Sequence, residues 1–268
     1  MESEKIGVFR VVLWVIGILV SVFLVAPIII VMITSLNEMP YMEFPPHRLS
    51  LRWYRNFFTS PHWFEPALLS VRVAFATAVS AAFLGTLAAI GIGRGQFRFR
   101  RALEMFFVSP LVVPVVVLAL GLYLLFSSLH VLGTPLALYL GHTVIATPLV
   151  IVIVLAAVRT ADPEMELAAR SLGAGYMSAL WHVTIPIIRP AILSGTAFAF
   201  LISFDEVIIA IFLGGPDATT LPKRMWETIR FEIDPTLTAI SSLLTCVAVL
   251  ILVGAEGVRR TFQGRSAR

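Results

Sequence analysis

The sequence predicts an all-α integral membrane protein with six transmembrane helices, from its composition and from the length of its apolar runs. The chain of 268 residues is 58% hydrophobic and only 13% charged, which is typical of a protein that lies in a bilayer. A helix rises ~1.5 Å per residue, so about 20 apolar residues cross the ~30 Å hydrocarbon layer. The predicted spans are 11–35, 66–92, 105–128, 136–158, 190–214 and 236–258.

The first apolar run predicts a retained span rather than a signal peptide. It is too long for the apolar part of a signal peptide, and Glu2 and Glu4 are unusual in the basic region that precedes one. The lone cysteine, Cys246, falls within the sixth predicted span. A single cysteine excludes a disulfide within the chain and a cysteine-rich metal site.

The placement of lysine and arginine predicts that both termini and the 160–190 loop are cytoplasmic, because basic residues concentrate in cytoplasmic loops. This placement also accounts for the basic pI, so no nucleic-acid partner is expected. The basic residues on the predicted inner side are Lys5, Arg10, Arg94, Arg98, Arg100, Arg101, Arg159, Arg170, Arg189, Arg259, Arg260, Arg265 and Arg268. The smaller outer set is Arg48, Arg52, Arg55, Lys223, Arg224 and Arg230.

A polar stretch between two spans, residues 160–190, predicts a capped helix that docks a partner. Asp162 can accept hydrogen bonds from the free N–H groups of a first turn, and the ring of Pro163 presets the helical φ angle. Glycine adopts positive φ easily, so Gly173 or Gly175 is the predicted end of this helix. Two spans do not need a capped helix merely to be joined, so we predict a docking surface here.

A second short helix is predicted over 178–183. It should stop before Pro186 and Pro190, because proline lacks the N–H that continues a helix and clashes with the preceding turn. An amphipathic helix lying on lipid is the alternative interpretation of the whole polar stretch.

The second span carries small residues at nearly every fourth position, which lets another helix approach closely. These residues are Ala74, Ala78, Ala82, Gly85, Ala89 and Gly93. Pro110, Pro114 and Pro148 predict bends at membrane depth. Such bends fit either simple kinks in a packed bundle or residues that line a pore.

Asp205 and Glu206 are the costliest residues that the sequence places inside a span. They follow Pro190 by about fifteen residues, which is roughly 22 Å of helix. A charged carboxylate at that depth costs at least ~2.5 kcal/mol, so it should face a bundle interior or an aqueous cavity. Adjacent helical residues point about 100° apart, so one acid can face a path while the other contacts a helix. A path for a cationic solute is favoured over a structural ion pair or a protonated acid.

The polar stretch resembles the EAA loop of permease subunits in binding-protein-dependent ABC importers. The resemblance is carried by Glu166, Ala168, Ala169 and Gly173, followed by Ile185-Pro186 and Arg189-Pro190. It covers most of the chain, about residues 58–260. Within that group, SFDEV at 203–207 and GGPDATTLPKRMWETIR at 214–230 are most similar to the second permease of spermidine/putrescine importers.

One position departs from the family pattern. The family usually has glutamate directly before the alanine pair, where this chain has Leu167, and Glu166 lies one residue earlier. A shift of one residue turns a helical side chain by about 100°, so Glu166 is predicted to point away from the usual contact. Ala168, Ala169 and Gly173 keep the family spacing.

The resemblance implies the MetI-like fold of a type I ABC importer permease in the bacterial inner (cytoplasmic) membrane. The implied partners are two copies of an ATP-binding subunit, a second homologous permease and a periplasmic or extracytoplasmic solute-binding protein. The implied ATPase-coupling residues are Glu166, Ala168, Ala169, Arg170, Leu172, Gly173 and Ala174. The implied translocation-path residues are Ser203, Asp205 and Glu206.

The expected function is inward transport of a polyamine such as spermidine or putrescine, or of a related cationic solute. No catalytic, cofactor or metal site is predicted. The chain lacks the G-x-x-x-x-G-K-[ST] phosphate loop, so ATP hydrolysis is expected on a separate subunit. The alternatives are the same architecture with another cargo (an opine, an amino-acid derivative or ferric ion) and a standalone secondary transporter or channel.

Histidine spacing argues against a metal-dependent membrane enzyme, because no H-x-x-x-H pair occurs in the sequence. His142 lies within the fourth predicted span and is expected to be a helix-packing or interfacial residue. The predicted domains are a first span with its outer loop at 1–60, a permease core at 61–260 that includes the 160–190 loop, and a cytoplasmic tail at 261–268.

Overall fold

A computed structural model describes residues 2–41, 43–232 and 234–266, with side chains over 10–41, 43–232 and 234–251. Within these ranges the chain is helical, with one isolated bridge between Asn37 and Leu49. In chain order the α-helices are α1 (Glu2–Thr34), α2 (Arg52–Thr59), α3 (Pro61–Arg94), α4 (Arg100–Val108), α5 (Val115–Ser128), α6 (Pro135–Thr160), α7 (Pro163–Ser171), α8 (Tyr176–Ala179), α9 (Ile185–Asp205), α10 (Ile208–Leu213), α11 (Leu221–Phe231) and α12 (Thr236–Ser266).

The chain divides into two compact units. One comprises the residues up to Phe64 together with those from Glu227 onward, and the other is Glu65–Trp226. The domain boundaries predicted from the sequence (1–60, 61–260 and 261–268) stay a prediction. Residues 267 and 268 of the predicted tail, and the side chains of Lys5, Arg259, Arg260 and Arg265, lie outside the described part of the chain.

The first unit is held together by polar side chains at the foot of two long helices. The hydroxyl of Tyr54 on α2 lies 2.7 Å from Ser35 Oγ and donates to Ser242 Oγ on α12 at 3.0 Å. Asn56 Nδ2 donates to Thr236 Oγ1 at 2.9 Å. Nearly all side chains of α1 between 11 and 33 are exposed, as expected for a helix that faces lipid.

The core of the second unit is formed by α3, α6 and α9. Val150 and Val154 of α6 pack with Ala78 and Ala89 of α3 and with Ala199 of α9. The stripe of small residues lets α3 approach α6 closely. The predicted packing of this stripe against a neighbouring helix is confirmed at two of its glycines, Gly85 and Gly93. A Cβ atom on Gly85 would lie 2.8 Å from Val150 Cβ, and one on Gly93 would collide with Val158.

The third predicted span is not one continuous helix, so the predicted helix over 105–128 is wrong in shape. Its first half (Arg100–Leu111, with a 3-10 turn at Ser109–Leu111) and its second half, α5, meet at an angle of 98°. Pro114 stands immediately before α5 with ψ of 128°, outside the helical region. The proline signal predicted a bend, but its size depends on the packing around it.

The fifth predicted span differs from its prediction at both ends. Pro186 and Pro190 do not stop the preceding helix, because a π-helical turn at Leu180–Thr184 leads directly into α9. In that turn the N–H of Ile185 bonds to the carbonyl of Leu180, five residues earlier. The wider turn accommodates a proline that has no N–H to donate. At the other end the helix breaks after Asp205 and resumes at Ile208.

Four helices are long and apolar enough to cross a membrane among the described residues, or five if the bent pair counts as one span. The four are Arg10–Thr34, Pro61–Arg94, Pro135–Thr160 and Tyr176–Asp205. The described apolar part of α12, Thr236–Ile251, is shorter. The fold is therefore an all-helical membrane fold with several spans.

Candidate functional site

Helix α7 begins and ends as its sequence predicts. The Asp162 carboxylate accepts a hydrogen bond from the N–H of Glu164 at 2.9 Å, and Pro163 is the first helical residue. Gly173 has φ of +93°, and the N–H of Ala174 bonds back to the carbonyl of Ala169 at 3.1 Å. This pattern is a Schellman motif, which satisfies the last carbonyls of a helix. Local capping therefore confirms the predicted helix bounds.

The predicted coupling residues divide between an exposed face and a buried one. Ala168, Arg170, Leu172 and Gly173 are exposed, and Ala169 and Ala174 are half-buried. Leu172 is 90% exposed, and a docking surface is indicated when several such apolar side chains occur together in an otherwise polar loop.

Further apolar side chains extend this exposed face beyond the motif. Met165 and Leu167 on α7 are exposed, as are Met177 and Trp181 on the next helical segment. Successive side chains of a helix point about 100° apart, so Met165 and Leu167 lie on opposite sides of Glu166. We use the name apolar coupling face for the exposed set as a whole, which is Met165, Leu167, Leu172, Met177 and Trp181. Sequence reasoning overlooked Met165, Met177 and Trp181, although large apolar residues in an otherwise polar loop were a visible signal.

Glu166, which stands between Met165 and Leu167 in the sequence, is buried, with 9% exposure. Its Oε2 atom accepts a hydrogen bond from the Thr184 hydroxyl at 3.1 Å and lies 3.7 Å from Arg94 Nε. Arg94 also donates through Nη2 to the carbonyl of Ala161 at 3.0 Å. Glu166 thus joins α7 to the end of α3 and to the π-helical turn before α9.

Arg94 and Thr184 were not identified as site residues from the sequence. In the sequence, Arg94 served only as one of the basic residues that predict which side of the membrane is cytoplasmic. Thr184 lies in the apolar stretch VTIPII. A lone threonine in such a stretch is a weak signal, because a hydroxyl also bonds readily within its own helix. Only the folded chain brings the two side chains to Glu166.

The three predicted path residues occupy different environments. Ser203 is buried, and its Oγ lies 2.8 Å from Nδ1 of His142 on α6. Asp205 is the last residue of α9 and is exposed. Glu206 lies in extended backbone at the break, where its Oε1 accepts a hydrogen bond from the N–H of Ile209 at 3.0 Å.

These positions correct the expectation that both acids lie on one helix. Through Oε1, Glu206 satisfies one free N–H of the first turn of α10 and so stabilises the start of that helix. Asp205 is the acid whose carboxylate is open to its surroundings. Irregular backbone at membrane depth is tolerated where it lies within protein or lines a water-filled cavity.

His142 is fully buried and bonds to Ser203, in agreement with the helix-packing role expected from the sequence. Within the described residues, no group of three histidine, cysteine, aspartate or glutamate side chains lies close enough to hold a metal ion. The site is therefore described by helix α7 and by the broken helix that carries Asp205.

Comparison with protein families gives one match over most of the chain. Residues 81–266 match the model of the "binding-protein-dependent transport system inner membrane component". The putrescine transport system permease protein PotI of Escherichia coli (strain K12) is 35% identical over 229 residues, or 83% of this chain and 81% of that protein.

Two further relatives carry different names. The spermidine/putrescine transport system permease protein PotC of Haemophilus influenzae is 28% identical, over 90% of this chain and 93% of that protein. The molybdenum transport system permease protein ModB of Mycobacterium bovis is 31% identical, over 73% of this chain and 80% of that protein.

Solved structures share the fold at low sequence identity. A bacterial ABC transporter involved in the import of alginate aligns with a TM-score of 0.74 and 13% identity, covering 95% of this chain and 96% of that one. An amino acid ABC transporter crystallised with histidines aligns with a TM-score of 0.57 and 17% identity, covering 76% and 97%. At such identities the likeness concerns the fold.

Proposed function

The chain belongs to the family of inner membrane components of binding-protein-dependent transport systems, and from that premise we propose that it carries a polyamine or a related cationic solute inward. It is a permease subunit of an ABC importer and not an enzyme, since the ATPase of this family is a separate chain. The importer class is shown by the family, and the identity of the transported solute is what we propose. It is supported by the relatives PotI, a putrescine transport permease, and PotC, a spermidine/putrescine transport permease.

The observation that carries the cargo proposal is the open carboxylate of Asp205 at the break between α9 and α10. A polyamine loses hydration when it enters a low-dielectric path, and a carboxylate offsets part of that cost. Glu206 bonds to the backbone of α10, so Asp205 is the acid that we assign to the solute.

Another solute with the same architecture is the second candidate. The name of the relative ModB, a molybdenum transport permease, favours it, because a related chain of similar length serves a different cargo. An anionic cargo would be repelled by the carboxylate of Asp205, which is why a cation is preferred.

The cargo is tested by uptake into vesicles that contain this permease with its ATPase, its partner permease and its solute-binding protein. Labelled putrescine, spermidine and molybdate are supplied separately, with and without ATP. ATP-dependent uptake of a polyamine, with no uptake of molybdate, is the expected result. Uptake of molybdate alone would overturn the cargo while leaving the importer class intact.

We assign ATPase docking to the apolar coupling face. Leu172 and its exposed apolar neighbours lie beside the small residues Ala168 and Ala169, which allow a partner to approach closely. Two ATP-binding subunits, one docking here and one on a homologous second permease, complete the proposed assembly with an external solute-binding protein. When ATP closes the ATPase pair, the displacement of α7 reaches α9 through Glu166 and Thr184.

We further propose six spans with both termini in the cytoplasm. Four long apolar helices, the bent pair α4–α5 and α12 make up that number. An even number of spans returns the chain to its starting side, and the basic residues around Arg98, Arg159 and Arg189 favour the cytoplasm for that side. The coupling helix α7 then lies on the same side as the ATPase.

A further inference from the structure

A strongly basic cavity in the second unit is lined by residues that belong neither to α7 nor to the broken helix. It has a volume of about 520 Å³ and is lined by Arg98, Arg100, Arg101, Glu104 and Arg159. The first four belong to the start of α4 and the loop before it, and Arg159 lies in the last turn of α6. The cavity plays no part in the coupling or the path described above.

Its charges are not balanced within the described chain. Arg159 Nη2 donates to Glu104 Oε2 at 2.6 Å, which pairs one arginine with the single carboxylate in the lining. Among the residues that the structure describes, no carboxylate pairs with Arg98, Arg100 or Arg101. Three guanidinium groups therefore stand around one concavity with no anion to offset them, and like charges held close together repel unless an anion binds between them.

Exposed apolar side chains lie next to these arginines in the sequence, and we refer to them together as the apolar rim. Phe97 and Phe99 precede α4, and Leu103 and Phe106 lie along it, all four open to the surroundings. The axis of this segment turns by 98° relative to α5. In the proposed six-span arrangement the start of α4 is the cytoplasmic end of the bent pair α4–α5, so its arginines lie at the level of the headgroups and Phe106, further along the helix, lies toward the acyl chains.

We propose that this cavity binds the phosphate headgroup of an anionic phospholipid. Guanidinium groups present planar pairs of donors that match phosphate oxygens, so three unpaired arginines can hold one phosphodiester by charge-assisted hydrogen bonds. Basic pockets between membrane helices recognise such headgroups by the same chemistry. The exposed rings of Phe99 and Phe106 supply an apolar surface for the acyl chains.

The rim distinguishes a lipid from a soluble phosphate. Inorganic phosphate would satisfy the arginines but would leave the aromatic rim uncovered, whereas a phospholipid covers both. The proposal is independent of the cargo, because no lining residue belongs to the path.

The test measures lipid bound to the full importer complex after extraction in mild detergent. Native mass spectrometry counts phosphatidylglycerol per complex, with zwitterionic phosphatidylcholine as the reference lipid and inorganic phosphate as a soluble competitor. Wild-type protein is expected to retain phosphatidylglycerol over phosphatidylcholine and to keep it when millimolar phosphate is added. Equal retention of both lipids, or displacement by free phosphate, would overturn the proposal.

A triple variant, Arg98→Gln/Arg100→Gln/Arg101→Gln, tests the assignment to this cavity. Each arginine near an anionic headgroup changes affinity by about fivefold, so the affinity for phosphatidylglycerol is expected to fall by at least that factor. The control variant, Arg48→Gln/Arg52→Gln/Arg55→Gln, removes the same charge from exposed positions elsewhere. Equal loss in both variants would refute the cavity as the site.

Folding of the triple variant is checked separately by its assembly with the ATPase. If the variant does not assemble, Arg101→Lys takes its place. Lysine keeps the charge but loses the paired donors, so weaker retention of phosphatidylglycerol is still expected. Unchanged retention in Arg101→Lys together with full assembly would count against guanidinium recognition.

Discussion

The Thr184 hydroxyl donates a hydrogen bond of 3.1 Å to Glu166 Oε2, although the two residues are eighteen positions apart in the sequence. Arg94 Nε lies 3.7 Å from the same carboxylate oxygen. These contacts connect the coupling helix to the helix that carries Asp205. A movement of α7 therefore has a direct polar connection to the base of α9.

Loss of this connection is expected to uncouple the importer. In Thr184→Val the hydroxyl is replaced by a methyl group of similar size, so Glu166 loses its neutral donor while the packing is kept. A hydrogen bond to a charged group contributes about 1.5–3 kcal/mol. We expect fewer solute molecules transported per ATP hydrolysed, measured as the ratio of uptake to phosphate release in reconstituted vesicles.

Glu164→Ala is the control for Glu166→Ala, because both glutamates lie in the first turn of α7 but Glu164 is exposed. Only Glu166→Ala should lower the transport ratio. An equal ratio for wild type, Thr184→Val and Glu166→Ala would show that this connection does not transmit the movement.

The apolar coupling face predicts a specific effect on ATPase binding. Leu172→Ala removes a side chain that is 90% exposed, so the isolated permease should keep its stability. If the ATPase covers this leucine, its truncation costs about 1–3 kcal/mol of binding. The amount of ATPase that stays bound to the permease after detergent extraction, measured after successive washes, should therefore fall.

Leu129→Ala is the matched control, since Leu129 is an exposed leucine at the end of α5, outside the coupling segment. It should leave ATPase retention unchanged. Similar retention in the two variants would exclude Leu172 from the docking surface.

The two acids at the break are predicted to have separable effects. Asp205→Asn removes the open carboxylate and should lower the uptake of a cationic solute by raising KM, because less of its desolvation is offset. Glu206→Gln keeps an oxygen that can accept the Ile209 N–H, so uptake should stay close to wild type. Uptake rates over a range of polyamine concentrations distinguish the two.

Glu206→Ala completes this set, because it removes the cap of α10 and should destabilise the permease by about 1 kcal/mol. Thermal unfolding in detergent measures that change. An unaltered KM in Asp205→Asn would show that Asp205 does not contribute to the solute path.

The close approach of α3 and α6 predicts opposite outcomes for two glycines of the same helix. A Cβ atom on Gly85 would lie 2.8 Å from Val150, so Gly85→Ala should destabilise the permease by about 1–3 kcal/mol. Gly91 has no atom within 4 Å of such a Cβ, so Gly91→Ala should stabilise its helix by up to about 1 kcal/mol. The midpoint of thermal unfolding should therefore shift in opposite directions, and equal shifts would refute the packing.

Much of the functional region was predictable because its signals are local. Asp162, Pro163 and Gly173 start and end α7 through contacts within a few residues, so their effect is readable from the sequence. The departure at Leu167 predicted that Glu166 would not make the contact usual in the family, and in the structure this glutamate is buried.

The predictions failed where distant residues decide the backbone. Pro186 and Pro190 signal the end of a helix by themselves, yet a π-helical turn carries the helix through them. The run 190–214 is apolar enough to be a single span, and its composition contains no clear sign of the break after Asp205. The chain accommodates that break because the Glu206 carboxylate accepts a hydrogen bond from the Ile209 N–H in the first turn of α10.

The amino-acid sequence alone determined the membrane class, the capped helix α7 and the stripe of small residues, since each depends on composition or on short-range geometry. Tertiary structure decided which acid is open, which helices Glu166 joins, and that the arginines near α4 surround one cavity. These relationships depend on side chains that are far apart in the chain. Only long-range packing brings them within the few ångströms over which hydrogen bonds and ion pairs act.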